Sequence, residues 1–168
     1  MTVRLPAAER RQQLLDVALE VFAERGYHDT SMSEIAEAAG VTKPVLYQHF
    51  GSKREFFLQV LQEVAGQLRE SVGKATASAP GPREQVESGF KAYFEWVARH
   101  RGGFEVLFTG ESRRDAEFVA EARKVESDIA ETIAALILIE GLDDERRRVT
   151  AYAIVGICLL YTSPSPRD

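Results

Sequence analysis

Apolar residues recur along this chain with the spacing of a helix face, and the strict alternation of a half-buried strand is nowhere sustained. The first such segment runs from about Ala7 to Arg25. Its apolar stripe consists of Leu14, Leu15, Ala18, Leu19 and Phe22. The pattern predicts an all-α protein.

A second, short helix is predicted between two local signals. Gly26 is expected to end the first helix with a left-handed residue. Ser31 and Glu34 then have the spacing of a capping box, in which each side chain binds the other residue's backbone amide. Gly40 ends this helix.

A third helix must begin close to Pro44, because proline is tolerated only in the first turn of a helix. We expect it to start at Thr42 or Lys43 and to reach about Phe50. Ser52 and Glu55 form a second capping box. This box opens a long helix that continues to the region of Lys74.

The composition changes to Ala, Ser, Gly and Pro between Ala75 and Pro82, which indicates a connection. Further helices are expected over Arg83–His100, Phe104–Thr109, Asp115–Ile139 and Asp143–Leu160. Gly102 and Gly103 are expected to break the chain between the first two of these. Residues 162–168 are polar and interrupted by proline, so they are expected to be a disordered or non-native tail.

The two short helices and the turn 40–42 match the helix-turn-helix layout, whose second helix lies in the major groove of DNA. If Leu46 and Phe50 face inward, the opposite face carries no acidic residue and can approach phosphates. That face consists of Lys43, Pro44, Tyr47 and Gln48, with His49 at its margin. An ordinary helical hairpin with a solvated rim would have the same geometry.

Charge favours a local rather than a general attraction to nucleic acid. The chain has 21 basic and 26 acidic residues and a net charge of -5. Between Val41 and Arg54 there is no acidic residue, and the three cations there are Lys43, Lys53 and Arg54. DNA binding would therefore depend on this small basic window.

Other chemistry is poorly represented. The three histidines are scattered, and no cluster of metal ligands or phosphate-binding glycine loop is recognisable, so we expect no metal, no cofactor and no enzymatic activity. Lone Cys158 is expected to be buried packing, with a redox switch as the alternative. No apolar run approaches the roughly 20 residues that span a bilayer. A cytoplasmic protein without a membrane partner is expected.

From Gly26 to Phe57 the chain reads GYHDTSMSEIAEAAGVTKPVLYQHFGSKREFF. This run resembles the amino-terminal signature of the tetracycline-repressor (TetR) family of transcription regulators almost position by position. The likeness covers about Arg10 to Leu61, and beyond it only the number and order of helices are similar.

The resemblance implies which residues bind double-stranded DNA. Thr42 starts the recognition helix, and the candidates for base edges are Lys43, Pro44, Val45 and Gln48. The candidates for phosphate contacts are Thr30, Ser31, Tyr47, His49 and Lys53. Tyr47 and His49 could instead pack their rings beside Phe50.

The family also implies an effector pocket and a dimer interface in the remaining helices. The aromatic candidates for the pocket are Phe90, Tyr93, Trp96, Phe104, Phe108 and Phe118. Each of them could equally be plain core. The effector is expected to be small and apolar or aromatic.

Gly156, between Ile154 and Ile157, provides a small-residue face suited to the close approach of another helix. The resemblance implies that this face belongs to the two-fold helix bundle of a homodimer. Family members usually add one more helix, whereas this chain changes after Leu160 to a tail that looks like translated linker. We therefore expect a shortened C-terminal region and an exposed apolar patch at Ile154, Ile157 and Leu159.

Together these expectations describe a transcription regulator, most often a repressor, that binds a pseudo-palindromic operator. A small-molecule effector is expected to release it from the DNA. The expected domains are 1–52 for DNA binding and 53–161 for effector binding and dimerisation, before the tail. The alternative functions are an enzyme and a helical interaction module that does not bind DNA.

Overall fold

The computed structural model describes residues 6–109, 114–138 and 141–162, and every regular element in these ranges is a helix. The helices are α1 (Ala7–Asp29), α2 (Met32–Ala38), α3 (Lys43–His49), α4 (Lys53–Ser78), α5 (Pro82–Arg99), α6 (Arg101–Phe108), α7 (Ala116–Leu136) and α8 (Asp144–Thr162). The predicted all-α class is confirmed.

Several boundaries differ from the sequence prediction. Helix α8 ends at Thr162 and not at Leu160, so the first residue of the predicted tail is helical, and residues 163–168 lie outside the described part of the chain. Helix α4 continues through the alanine-rich segment as far as Ser78. Gly102 and Gly103 do not break the chain but lie inside α6. A Cβ on Gly102 would stand 3.1 Å from the Cβ of Ala23 in α1, so glycine here permits a close approach of two helices. The predicted end of α7 at Ile139 lies outside the described residues.

Helix α1 is interrupted where the glycine signal predicted. Gly26 has φ 80° and ψ 168°, a conformation that side chains with a Cβ avoid. The positive φ is as expected, but helical residues follow it as far as Asp29. The buried Thr30 supports this turn, because its hydroxyl donates to the Gly26 carbonyl at 2.7 Å.

The chain divides into two compact units. The first contains Met1–Val64 and Gly102–Phe118, and the second contains Ala65–Arg101 and Val119–Asp168. Helices α4 and α7 each contribute residues to both units.

The first unit is built around the apolar stripe of α1. Leu14, Leu15, Ala18 and Phe22 are all buried there, as the pattern predicted. Aromatic rings extend this core along the start of α4. Phe22 meets Phe57 edge-on with centroids 4.8 Å apart, and it meets Phe56 in the same way at 6.4 Å.

The second unit contains α8, which has one buried face. Ala151 and Val155 pack with Ala130 of α7. Tyr93 of α5 is also buried, and its hydroxyl lies 3.1 Å from that of Thr162. Burial raises the pKa of Tyr93 to about 12. Cys158, the single cysteine of the chain, is buried, as expected for a packing residue. Burial raises the pKa of its thiol.

Candidate nucleic-acid interface

The capping box at the start of α2 is formed as predicted. The Glu34 amide donates to the Ser31 hydroxyl at 3.2 Å, and the Ser31 amide donates to the Glu34 carboxylate at 2.7 Å. Arg25 pairs with the same carboxylate at 2.5 Å. Hydrogen bonds from Ser31, together with the charge of Arg25, lower the pKa of Glu34.

The turn between α2 and α3 is a Schellman motif. Gly40 has φ +63°, its amide donates to Glu37 at 3.0 Å, and the Val41 amide donates to Ala36 at 2.9 Å. A Cβ on Gly40 would meet nothing within 4 Å, so backbone conformation rather than space demands glycine here. The motif sets the angle at which α3 leaves α2.

Helix α3 presents the two faces that the sequence predicted. Leu46 is 0% exposed and Phe50 is 1% exposed, so this face lies in the core. The opposite face consists of exposed Thr42, Lys43, Pro44, Tyr47 and Gln48, with half-buried Val45 and His49 at its edges. No acidic residue belongs to α3.

The two aromatic side chains of α3 differ in their surroundings. Tyr47 is 46% exposed, so its ring is not a core ring and the packing alternative does not account for it. The His49 ring lies 6.2 Å from that of Phe50 at an angle of 46°, and His49 is half-buried, so it is packed in part and exposed in part.

The end of α3 is anchored by stacked rings. Phe50 lies against Phe56 of α4 with centroids 3.7 Å apart and planes 16° apart. The guanidinium of Arg11 stands 5.5 Å from the Phe50 ring, on which it makes a cation–π contact. These contacts hold the exposed face of α3 in place.

Two residues predicted to contact phosphates, Thr30 and Ser31 at the start of α2, differ in their exposure. Thr30 is 1% exposed and its hydroxyl is bound to Gly26, so the structure places this side chain in the core and not on the surface. Ser31 is exposed, and its hydroxyl accepts one bond from Glu34. That leaves the Ser31 O–H hydrogen for a phosphate.

Lys53 is bound inside the first unit. Its ammonium donates to the carbonyls of Tyr27, His28 and Thr30 at 2.7, 3.2 and 2.8 Å. It also lies 4.5 Å from the Tyr27 ring. An ammonium has three donors, so a phosphate contact by Lys53 requires one of these bonds to break. The sequence does not indicate which backbone carbonyls will surround a side chain after folding. The prediction therefore did not include these three bonds.

Arg54, the neighbouring cation, is also engaged. Its guanidinium forms a bidentate pair with Asp115 at 2.7 and 2.9 Å and binds Glu117 at 2.6 Å. These bonds raise the pKa of Arg54, and they lower the pKa of Asp115 to about 2. The basic window is therefore less open than its composition indicated, and Lys43 is its exposed cation at the start of α3.

The residues expected to line an effector pocket are divided between the units. Phe90, Tyr93 and Trp96 belong to the second unit, where the last two are buried. Phe104, Phe108 and Phe118 are buried in the first unit. Phe118 meets the rings of Phe57 and Tyr27 at 4.8 and 5.2 Å, so it is a core residue of that unit.

The expected dimer residues lie on the outer side of α8. Ile157 is 65% exposed, whereas Ile154 and Gly156 are half-buried. Leu159 was expected on an exposed patch, but it packs against the cluster around Ala151 and is half-buried. The large exposed apolar residues of α8 are Val149, Tyr152, Ile157, Leu160 and Tyr161.

The second unit also has an open groove of about 450 Å³ between α7 and α8. It is lined by Glu131, Ala134, Ala135, Asp144, Arg147 and Arg148. Within the described residues, no group of three potential metal ligands is brought together. None of the helices in these ranges has the length and apolar character that crossing a bilayer requires.

Comparisons with known proteins agree on one family. Residues 14–60 match the family model for bacterial regulatory proteins of the tetR family. Residues 82–159 match the model for a tetracyclin repressor-like C-terminal domain.

Two curated relatives differ in their action on transcription. The transcriptional activator FasR of Mycolicibacterium smegmatis is 37% identical over 155 residues, which are 92% of this chain and 71% of FasR. The transcriptional repressor KstR2 of the same species is 34% identical over 107 residues, 64% of this chain and 52% of KstR2. The chain thus spans about half of the second relative.

Solved structures have the same fold. A TetR-like transcriptional regulator from Rhodococcus sp. RHA1 superimposes with a TM-score of 0.80 at 33% identity, covering 95% of this chain and 85% of that one. FadR from Bacillus subtilis, solved in complex with stearoyl-CoA, has a TM-score of 0.75 at 21% identity, with 89% and 85% covered. Both halves of the chain match their family models, and the match to FasR covers most of both proteins. The chain therefore belongs to the TetR family of bacterial transcriptional regulators.

Proposed function

We propose that this regulator reads a specific operator through the exposed face of α3 and leaves it when a small apolar effector binds, so that it acts as a repressor. The observation that carries the proposal is the acid-free face of α3, which buried Leu46 and Phe50 hold outward. A helix presented in this way fits the major groove.

The proposed contacts divide by chemistry. Gln48 can form paired hydrogen bonds to adenine, and Lys43 can donate to guanine. Pro44 and Val45 offer apolar contact to thymine methyl groups. Phosphate contacts are proposed for Thr42, Ser31, Tyr47 and His49, which set the register of the protein on DNA. In this proposal Thr30 and Lys53 stabilise the turn before α2 and do not contact DNA.

Dimerisation is proposed through α8. Its outer side exposes a run of large apolar side chains that water disfavours, and Ile157 and Leu160 are 65% and 79% exposed. A two-fold dimer would bind a pseudo-palindrome with half-sites about 34–36 Å apart or a multiple of that. Such a protein works in the cytoplasm, where bacterial DNA is found.

The effector is proposed to be apolar, with buried Tyr93 and Trp96 and half-buried Phe90 as candidate lining residues. One similar protein supports this class, since FadR from Bacillus subtilis was solved in complex with stearoyl-CoA, whose acyl chain is apolar. A second function, activation of transcription, is favoured by the likeness to the activator FasR.

The DNA proposal is tested by selecting binding sites from a pool of random duplexes with the full chain. We expect a two-fold symmetric consensus with submicromolar affinity. Gln48→Ala should change the preferred base at one position of each half-site, whereas the control Gln62→Ala, an exposed glutamine on α4, should leave the consensus unchanged. Equal affinity for selected and random duplexes would exclude a sequence-specific regulator.

The direction of regulation needs a separate measurement. Transcription from a promoter that overlaps the selected site should fall when the protein is added, and a rise would identify an activator.

The effector is tested on the protein–duplex complex. Stearoyl-CoA added to this complex should release the DNA, with free coenzyme A as the control. If a saturating concentration changes nothing, stearoyl-CoA is excluded as the effector.

A further inference from the structure

The first turns of α4 and α7 are joined inside the first unit. Arg54, in the first turn of α4, uses Nε, Nη1 and Nη2 to bind Asp115 and Glu117. Asp115 also accepts from the amides of Glu117 and Phe118 at 2.9 and 3.4 Å, so the same carboxylate starts α7. One guanidinium thus holds the start of α7 at two side chains.

Aromatic packing strengthens this junction. The Arg54 guanidinium lies 4.9 Å from the Phe118 ring, which also meets the rings of Phe57 and Tyr27. From Phe118 a continuous series of ring contacts leads through Phe57, Phe22 and Phe56 to Phe50, the residue that ends α3. The start of α7 is therefore connected by packed side chains to the recognition helix.

We propose that residues 115–118, which we term the docked turn, act as positioning residues for the recognition helix. The inference rests on the proposed DNA-binding function. It adds the start of α7 to α4 as an element that holds α3 in position.

An isolated exposed ion pair would not carry this role, because such pairs contribute little. The docked turn differs since four hydrogen bonds, a helix cap and a buried ring all depend on the position of one short segment. Loss of the pair between Arg54 and Asp115 would therefore loosen the whole turn.

The sign of the effect separates positioning from simple electrostatics. Asp115→Asn removes a negative charge, so charge alone would tighten binding to the DNA polyanion. Loss of the docked turn would instead loosen α3 and weaken binding. Asn is also a good N-cap residue, so the variant keeps the start of α7 and tests the pairing with Arg54.

The experiment measures affinity for the duplex selected by the wild-type chain, using protein whose active fraction is known. We expect Asp115→Asn to bind about fivefold more weakly, at the lower end of typical couplings. Asp115→Asn combined with Arg54→Ala should bind no more weakly than Arg54→Ala alone, because both remove the same contact.

The matched control is Asp128→Asn, which removes the 2.8 Å pair between Arg69 of α4 and Asp128 of α7 in the second unit. Its affinity should stay within about twofold of wild type. Amide exchange in residues 46–50 should also become faster in Asp115→Asn and remain unchanged in Asp128→Asn.

Three results would overturn the proposal: tighter or unchanged binding by Asp115→Asn, additive losses in the double variant, or the same loss in Asp128→Asn. Failure of the wild-type chain to prefer any duplex would instead contradict the proposed function. In that case unchanged amide exchange in α3 would still overturn the positioning role, and faster exchange would support it.

Discussion

Lys53 illustrates how one side chain can be assigned two different roles on the same protein. Its three bonds to carbonyls hold the turn that follows Gly26, close to the negative end of a helix dipole. We expect Lys53→Ala to lower the free energy of unfolding by about 1–3 kcal/mol, measured by denaturant titration. The slope of log affinity for DNA against log salt should stay unchanged.

Lys43→Ala should have the opposite profile. Its side chain is exposed at the start of α3, so its loss should leave stability unchanged and reduce the magnitude of the salt slope by about one. A reduced slope in Lys53→Ala with unaltered stability would show that Lys53 leaves its carbonyl partners to bind phosphate.

Asp115 makes stability depend on pH. Arg54 holds the folded-state pKa of Asp115 at about 2, below the ordinary value of 3.8. A carboxylate with a depressed pKa stabilises the fold above its unfolded-state pKa, and the stabilisation disappears as pH falls through the folded-state value. Thermal unfolding of wild type and Asp115→Asn should therefore differ at pH 6 and converge between about pH 4 and pH 2. A difference that persists below pH 2 would contradict this assignment.

At the scale of single helices, α2 depends on its cap. It has seven residues, too few for an isolated helix to persist in water. Ser31→Ala should cost about 1 kcal/mol of stability, because the Glu34 amide loses its acceptor.

Ser31→Asp separates the cap from the proposed phosphate contact. Aspartate is a good N-cap residue and should keep stability within about 0.5 kcal/mol of wild type. Its negative charge should nevertheless weaken binding to every duplex, measured by fluorescence anisotropy. If DNA affinity follows stability across both variants, Ser31 is only a cap.

For the whole molecule, the outer side of α8 determines the expected assembly. Ile157→Glu should convert a dimer to a monomer of 18.7 kDa in sedimentation velocity, because a buried unpaired charge opposes association. Affinity for a full palindrome should then fall to that for a half-site. Thr150→Glu, an exposed polar position on the same helix, is the control. An unchanged mass for Ile157→Glu would place the interface elsewhere.

Much of the architecture was predictable because its causes are local. Capping signals, glycine ends and the 3.6-residue period located the first three helices. The period placed Leu46 and Phe50 on one side of α3, and this side is buried. The glycines of α6 were misjudged since their helix is maintained by close packing on Ala23, which lies far away in the chain.

The local order of residues was thus sufficient to predict most of the helices, the acid-free face of α3 and the family. The tertiary structure alone decided which cations are available, because Lys53 and Arg54 are bound by groups 23 to 63 positions away. It also decided that Phe118 joins the core of the first unit. Spacing along a chain specifies which side of a helix is apolar, but only folding brings together the carbonyls, carboxylates and rings that bind a particular side chain.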